Sequence, residues 1–302
     1  MYPGYQTVSP RLMSVYNQDD NEGDENCTYD RIEDSNKIND LVNMDLSLIE
    51  EKIVSNALSG KKQLTMLPEA EVQSLASSQY NDFIKTHTIL SQNNNSNAAM
   101  VNRIGTNITK AVNRYYASNK KSAVLNGYKW EYNLVKDPAV NAWCMPGGKI
   151  VVYTGLLPVT INENALAVVI GHEVSHALLQ HGNQRMSGSM LQQLGGMTLS
   201  VALSKKPSET QDIFMQAYGI GTEVGVMLPF SRKHELEADR YGLIWAAMAG
   251  YDPNEALAFW DRMEKAAGGQ QVPEFLRTHP SDAIRKEKIK SYLPEALRYR
   301  GK

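Results

Sequence analysis

Cysteine is nearly missing from this chain: there are two in 302 residues, Cys27 and Cys144, and no CxxC pair. That excludes a thiolate-built metal centre and a disulfide-stapled scaffold, and leaves two unpaired thiols as the expectation. Long apolar runs are missing too. A bilayer-spanning helix needs roughly 20 apolar residues, and the best stretches, Ala165–Ile170 and Met197–Leu203, are far shorter. The opening segment MYPGYQTVSPRLMSVYNQDD has no basic stretch followed by an apolar one, so no secretory signal is expected in the chain as it stands. Excess positive charge is also absent. The formal net charge is −2, which gives nucleic acid no electrostatic footing as a partner.

The charge that is present is unevenly spread. Residues 1–51 hold 12 acidic and 3 basic side chains, a net of −9, so the remainder carries +7. Few aliphatic residues interrupt the Asn, Asp, Glu and Ser of residues 1–36, a composition too polar to bury a core. Apolar positions at Leu41, Met44, Leu48 and Ile49 suggest an amphipathic helix over 38–58. We therefore divide the chain into an acidic extension, residues 1–58, and a folded domain, residues 59–302.

Within the domain, helical spacing runs through Val72, Leu75, Tyr80 and Phe83, and again through Val101, Ile104, Ile108 and Val112. His87 follows the first of these and reads as a surface group. From Lys129 the period changes to alternation, with strands expected around Trp130–Leu134, Ala139–Cys144 and Ile150–Thr154. Helices are then expected over 164–180, 187–228, 232–248, 253–265 and 281–292. The fold class is α+β, mainly α, with a small antiparallel sheet beside the central helices.

The chemistry concentrates in IGHEVSHALLQHG. Residues i and i+4 of a helix lie one above the other, so His172 and His176 can present two imidazole nitrogens to one zinc ion, with Glu173 beside them as general base. Two histidines and a glutamate in an otherwise apolar helix are costly to bury without purpose. A third ligand is required. The HExxHxxGxxH pattern fails, because Leu179 and Gly182 occupy its last two fixed places. His181, about 140° further round a continuous helix than His176, reads as a capping or surface residue. The segment FSRKHELEADRYG supplies other candidates. Glu235 and Asp239 share a helical face, so one can bind metal while the other buttresses a ligand histidine. Glu237 points away from that face, and His234 is the local rival as ligand.

Together PGGKIVVYTGLL, HEVSH, SRKHELEAD and THPSDAIR, in this order, resemble peptidase family M48, on its Oma/LoiP/BepA-like side. The resemblance covers roughly residues 60–293. It implies a gluzincin with one zinc per chain, ligands His172, His176 and Glu235, base Glu173, and Asp239 behind a ligand. It further places His279 near the metal, where it can bind zinc or steady an oxyanion, and gives Arg285 a structural or substrate-orienting role. Peptidases commonly hold extended substrate against a sheet edge, and Asn141, Gly147 and Gly148 are the candidates for that edge. The function implied is endopeptidase action on proteins, including membrane-associated ones, in the cell envelope. A chaperone or adaptor that binds unfolded protein is the rival reading.

Overall fold

The computed structural model describes residues 51–194, 231–268, 272–281 and 283–302. Strands β1 (Ile53–Ser55) and β2 (Lys62–Leu64) form an antiparallel hairpin. Helix α1 (Glu69–Thr86), strand β3 (Ile89–Leu90) and helix α2 (Ser96–Ser118) follow. Strands β4 (Glu131–Val135), β5 (Ala142–Met145) and β6 (Lys149–Tyr153) complete a four-stranded sheet with β3. A short α3 (Leu157–Thr160) leads to α4 (Glu163–Leu178) and α5 (His181–Leu194). Beyond residue 230 come α6 (Arg232–Met248), α7 (Glu255–Ala267), α8 (Glu274–Thr278) and α9 (Ala283–Leu297).

Helix α4 lies at the centre because its sequence leaves it no polar face. Every residue from Ala165 to Leu178 is buried, as an all-round apolar helix requires. Asn162 starts it by accepting the Ala165 amide proton. The sheet, α2, α6 and α7 enclose it. Helix α6 packs along α4 most intimately where two glycines meet: a Cβ on Gly171 would stand 2.7 Å from the Gly242 carbonyl oxygen. This crossing brings the HExxH face of α4 onto the acidic face of α6.

The sheet order is β3-β4-β6-β5. The β3–β4 and β5–β6 pairs are antiparallel, as expected of the small sheet, and β4 runs parallel to β6. Strand β5 is therefore an edge, yet all four of its residues are buried, Trp143 and Met145 toward α1 and Cys144 toward the α4 side. Cys144 is a free thiol; Cys27 lies outside the described residues.

Several boundaries differ from the sequence reading. The helix expected over 38–58 is, from residue 53 on, strand β1 and the turn after it; residues 38–50 lie outside the described residues. The domain edge also moves toward the N-terminus. Asn56 donates to the Leu178 carbonyl, and Leu58 sits in the main core, so residues before 59 belong to the folded body. Of the helix expected over 187–228, the described part belongs to α5, which starts earlier at His181. Helix α9 runs past Pro294 rather than stopping at Tyr292. Among the described residues no helix is long and apolar enough to cross a membrane.

Candidate metal centre

Four side chains from three elements converge on one point. His172 and His176 come from α4, Glu235 from the first turn of α6, and His279 from the loop after α8, and one ligand atom from each lies within 4.8 Å of the others. All four are buried. The two Nε2 atoms of His172 and His176 are 2.9 Å apart, and His279 Nδ1 lies 3.3 Å from His172 Nε2 and 3.1 Å from Glu235 Oε1. Glu235 Oε1 is 3.4 Å from His176 Nε2. Glu173, next along α4, is buried beside the cluster, with Oε1 3.4 Å from His279 Nε2.

Behind these donors stands a buried ionic frame. Arg285 on α9 donates from Nε and Nη2 to both carboxylate oxygens of Asp239, at 2.7 and 2.9 Å. Its Nη1 lies 2.6 Å from Glu235 Oε2 and donates to the Pro280 carbonyl at 3.1 Å. The guanidinium also sits over the Trp260 ring, 3.9 Å from its centroid. Asp239 Oδ1 in turn lies 2.9 Å from His172 Nδ1. One arginine thus fixes Glu235, the carboxylate behind His172, and the loop that carries His279. The expectation that Arg285 orients substrate gives way to this: the side chain is fully buried and its donors are turned onto the protein.

Electrostatics follow from the burial. Burial, the largest single influence, pushes against ionisation of Asp239 and Glu235, but the Arg285 charge acting together with the neighbouring hydrogen bonds and histidines outweighs it and holds both carboxyls below their usual range. Burial lifts the Glu173 carboxyl to about 8, with His172 and Arg285 pulling the other way. Burial also disfavours a charged His172, yet hydrogen bonds to Asp239 and Glu235 win and raise it to about 9. His279, by contrast, is lowered by burial to about 4. Cys144 is pushed well up by burial and then by the Glu173 charge, and strand β5, which carries it, packs on α4.

The remaining expectations fall as follows. Gly147 and Gly148 form the β5–β6 turn at φ +77° and +87°, conformations that favour glycine, and their carbonyls accept from Lys129 and Glu131. Asn141 is buried at the start of β5, its carbonyl accepting from Tyr153. These three residues build the edge strand and its turn, and their groups are largely taken up by the fold. His234 stands outside the donor cluster, with Nε2 3.2 Å from Gln184 Oε1 and its ring stacked on His181 at 4.3 Å. His87 is half-buried, stacked on Phe83 rather than free at the surface.

His181 is the residue the sequence reading misplaced. It is fully buried, and Nδ1 lies 2.9 Å from Nδ1 of His176. Its Nε2 is 3.3 Å from Glu237 Oε2, so Glu237 also faces the site through it. The 140° argument assumed one continuous helix. In fact α4 ends at Leu178, and Gln180 adopts φ +58°, which turns the chain back so that His181 opens a new helix against His176. The available signal was the sudden polarity of Gln180-His181 after an apolar helix, a mark of a helix end.

An HExxH helix crossed by a second helix that brings a glutamate to the same point defines a zincin-type fold. The profile of Peptidase family M48 matches residues 106–293, and the chain belongs to that family. It is 36% identical over 173 residues to a mitochondrial metalloendopeptidase, OMA1, of Schizosaccharomyces pombe, covering 57% of this chain and 49% of that protein. It is 32% identical over 187 residues to the human mitochondrial metalloendopeptidase OMA1, covering 60% and 36%. It is 28% identical over 156 residues to the β-barrel assembly-enhancing protease of Escherichia coli, covering 50% and 32%. The chain spans about half or less of the length of these relatives. Membership of a metallopeptidase family implies a metal, and the clustered His and Glu donors are where this chain can hold one.

Proposed function

We propose that this chain is a zinc endopeptidase that hydrolyses internal bonds of extended protein segments. The observation that supports it most is the donor cage beside a buried carboxylate. Five of the six donor pairs stand 2.9 to 3.5 Å apart, counting both oxygens of Glu235, and all four donors lie within 4.8 Å of one another. A tetrahedron built on zinc bonds of about 2.0–2.1 Å has edges of about 3.3 Å, so the residues fit the ion. Imidazole nitrogens with one carboxylate are also the donor types zinc accepts. A cation here balances the carboxylates of Glu235, Asp239 and Glu173, and its charge favours the ionised form of Glu173 despite burial. Once bound, zinc supplies the Lewis acidity that makes water a nucleophile near neutral pH.

The protein groups then have distinct tasks. His172, His176 and Glu235 hold the ion. Glu173 takes the proton from the attacking water on its carboxylate and returns it to the departing amine. Asp239 and Arg285 keep the ligands aimed. His279 Nδ1 sits at the fourth corner of the cage, so we assign it as a gate that must leave before substrate enters. Strand β5, one of the two edge strands of the sheet, packs on α4, the helix that carries Glu173, and is the edge we assign to extended substrate.

By analogy with the proteases named above, we place the activity in protein quality control at a membrane-bounded compartment, on unfolded or membrane-associated proteins. The closed fourth corner favours a second reading as well, a binder of unfolded protein with latent proteolysis. Incubating the purified chain with casein and mapping the new termini by mass spectrometry tests the primary reading. Cuts at internal bonds, abolished by a chelator and restored by zinc, are expected. Intact casein under zinc-replete conditions would overturn it.

A further inference from the structure

The HExxH helix carries its second ligand on a relay that reaches the surface. From the metal side outward the atoms are His176 Nδ1, His181 Nδ1 at 2.9 Å, and His181 Nε2 facing Glu237 Oε2 at 3.3 Å. Glu237 Oε1 then pairs with Lys61, on the turn between β1 and β2. His181 is completely buried and Lys61 is largely exposed. The ring of His234 covers one face of His181.

Hydrogen-bond logic gives this chain of atoms a direction. A carboxylate only accepts, so the nitrogen of His181 that faces Glu237 must carry the proton. The other nitrogen of a neutral His181, Nδ1, is then an acceptor. His176 Nδ1 must therefore donate to it, which leaves the His176 lone pair on Nε2. That is the atom facing His172 Nε2 and Glu235 in the cage. His172 has a direct carboxylate, Asp239, for the same purpose. His176 Nδ1 instead meets His181, which stands between it and Glu237.

We infer that His181 is a positioning residue for the metal, fixing the tautomer and ring angle of His176 on behalf of Glu237. The inference rests on the metal reading above. Partners of this kind, one shell behind the ligands, raise metal affinity by roughly 10–100-fold. The turn at Gln180 has a purpose in this light. It interrupts α4 so that His181 can return to His176. Gln180 is itself held by Glu69 of α1, at 3.0 Å, and by Gln63 of β2. The hairpin and α1 thereby contribute to a ligand they never touch.

The test compares His181→Leu, which removes the acceptor, with His181→Asn, whose side-chain oxygen can still accept from His176 Nδ1. Apparent zinc affinity of the full chain is measured by chelator competition, and apo-protein melting is recorded alongside. The expected result is a 10–100-fold loss of affinity in His181→Leu and recovery of most of it in His181→Asn. Equal affinity in His181→Leu and the parent overturns the inference, as does an equal loss in both variants, which would mark mere packing. A second measurement needs no variant. In the zinc-loaded parent, long-range proton–nitrogen spectra of labelled histidines should place the His181 proton on Nε2 and the His176 proton on Nδ1; a His181 proton on Nδ1 contradicts the relay. A parent that binds no zinc at all sinks the metal reading together with this one, whereas a parent that binds it normally isolates the relay.

Discussion

His279 reaches the cage from a loop whose geometry is set by its neighbours. Its ring stacks on Phe275 at 4.4 Å, its amide donates to the Phe275 carbonyl at 2.9 Å, and Arg285 holds the carbonyl of the next residue. In the function proposed above, a side chain so placed closes the corner at which a catalytic site must stay open. We predict that His279→Ala keeps its metal through His172, His176 and Glu235 and cleaves a short flexible peptide severalfold faster. Steady-state rates per zinc ion check this; a slower enzyme with full metal would assign the ring to oxyanion support instead. The histidine pair on α4 and the shared face of Glu235 and Asp239 were legible in the sequence, because helical spacing alone puts such residues together. His181 was not, since one residue at positive φ breaks the spacing on which that reasoning depends.

Among the elements, the crossing of α4 and α6 decides whether the donors meet. A Cβ on Gly242 would lie 2.7 Å from the His172 amide nitrogen, against backbone that cannot yield without moving a helix. Gly242→Ala should therefore cost about 1–3 kcal/mol of stability, the usual penalty of overpacking, and weaken metal binding as Glu235 is drawn back. Thermal melting and chelator competition read the two effects; a variant as stable and as tight as the parent would show that the crossing has slack. The sequence reading of helix α6, residues 232–248, coincides with its observed ends, and in the structure Ser231 caps its start. Two details of the sheet were not legible. Strand β3 is two residues long and carries no alternation to detect. The parallel β4–β6 pair arises because β5 turns back on β6 from the far side, a choice of neighbour that local pattern does not encode.

For the whole molecule, the charge is divided in sequence between an acidic N-terminal stretch and a basic remainder. In sequence, residues 1–51 with their net of −9 precede every donor, frame and relay residue named above, which fall between positions 61 and 285. Removing residues 1–50 should leave peptide cleavage and metal content unchanged or raise the rate, measured on the same peptide. A folded but inactive truncation would mean that the acidic segment completes the site. The extent of the fold toward the N-terminus was misread because β1 carries three exposed residues and no core periodicity, so composition set the boundary instead. The account as a whole depends on Glu173 acting as the base of a metal-held peptidase centre. Glu173→Gln keeps size and removes the charge. Its zinc content and its rate on a flexible peptide, set beside the parent, test that claim most directly. The predicted result is one zinc per chain with cleavage reduced by about 10²–10⁴ or more; near-parental cleavage at full zinc would contradict it.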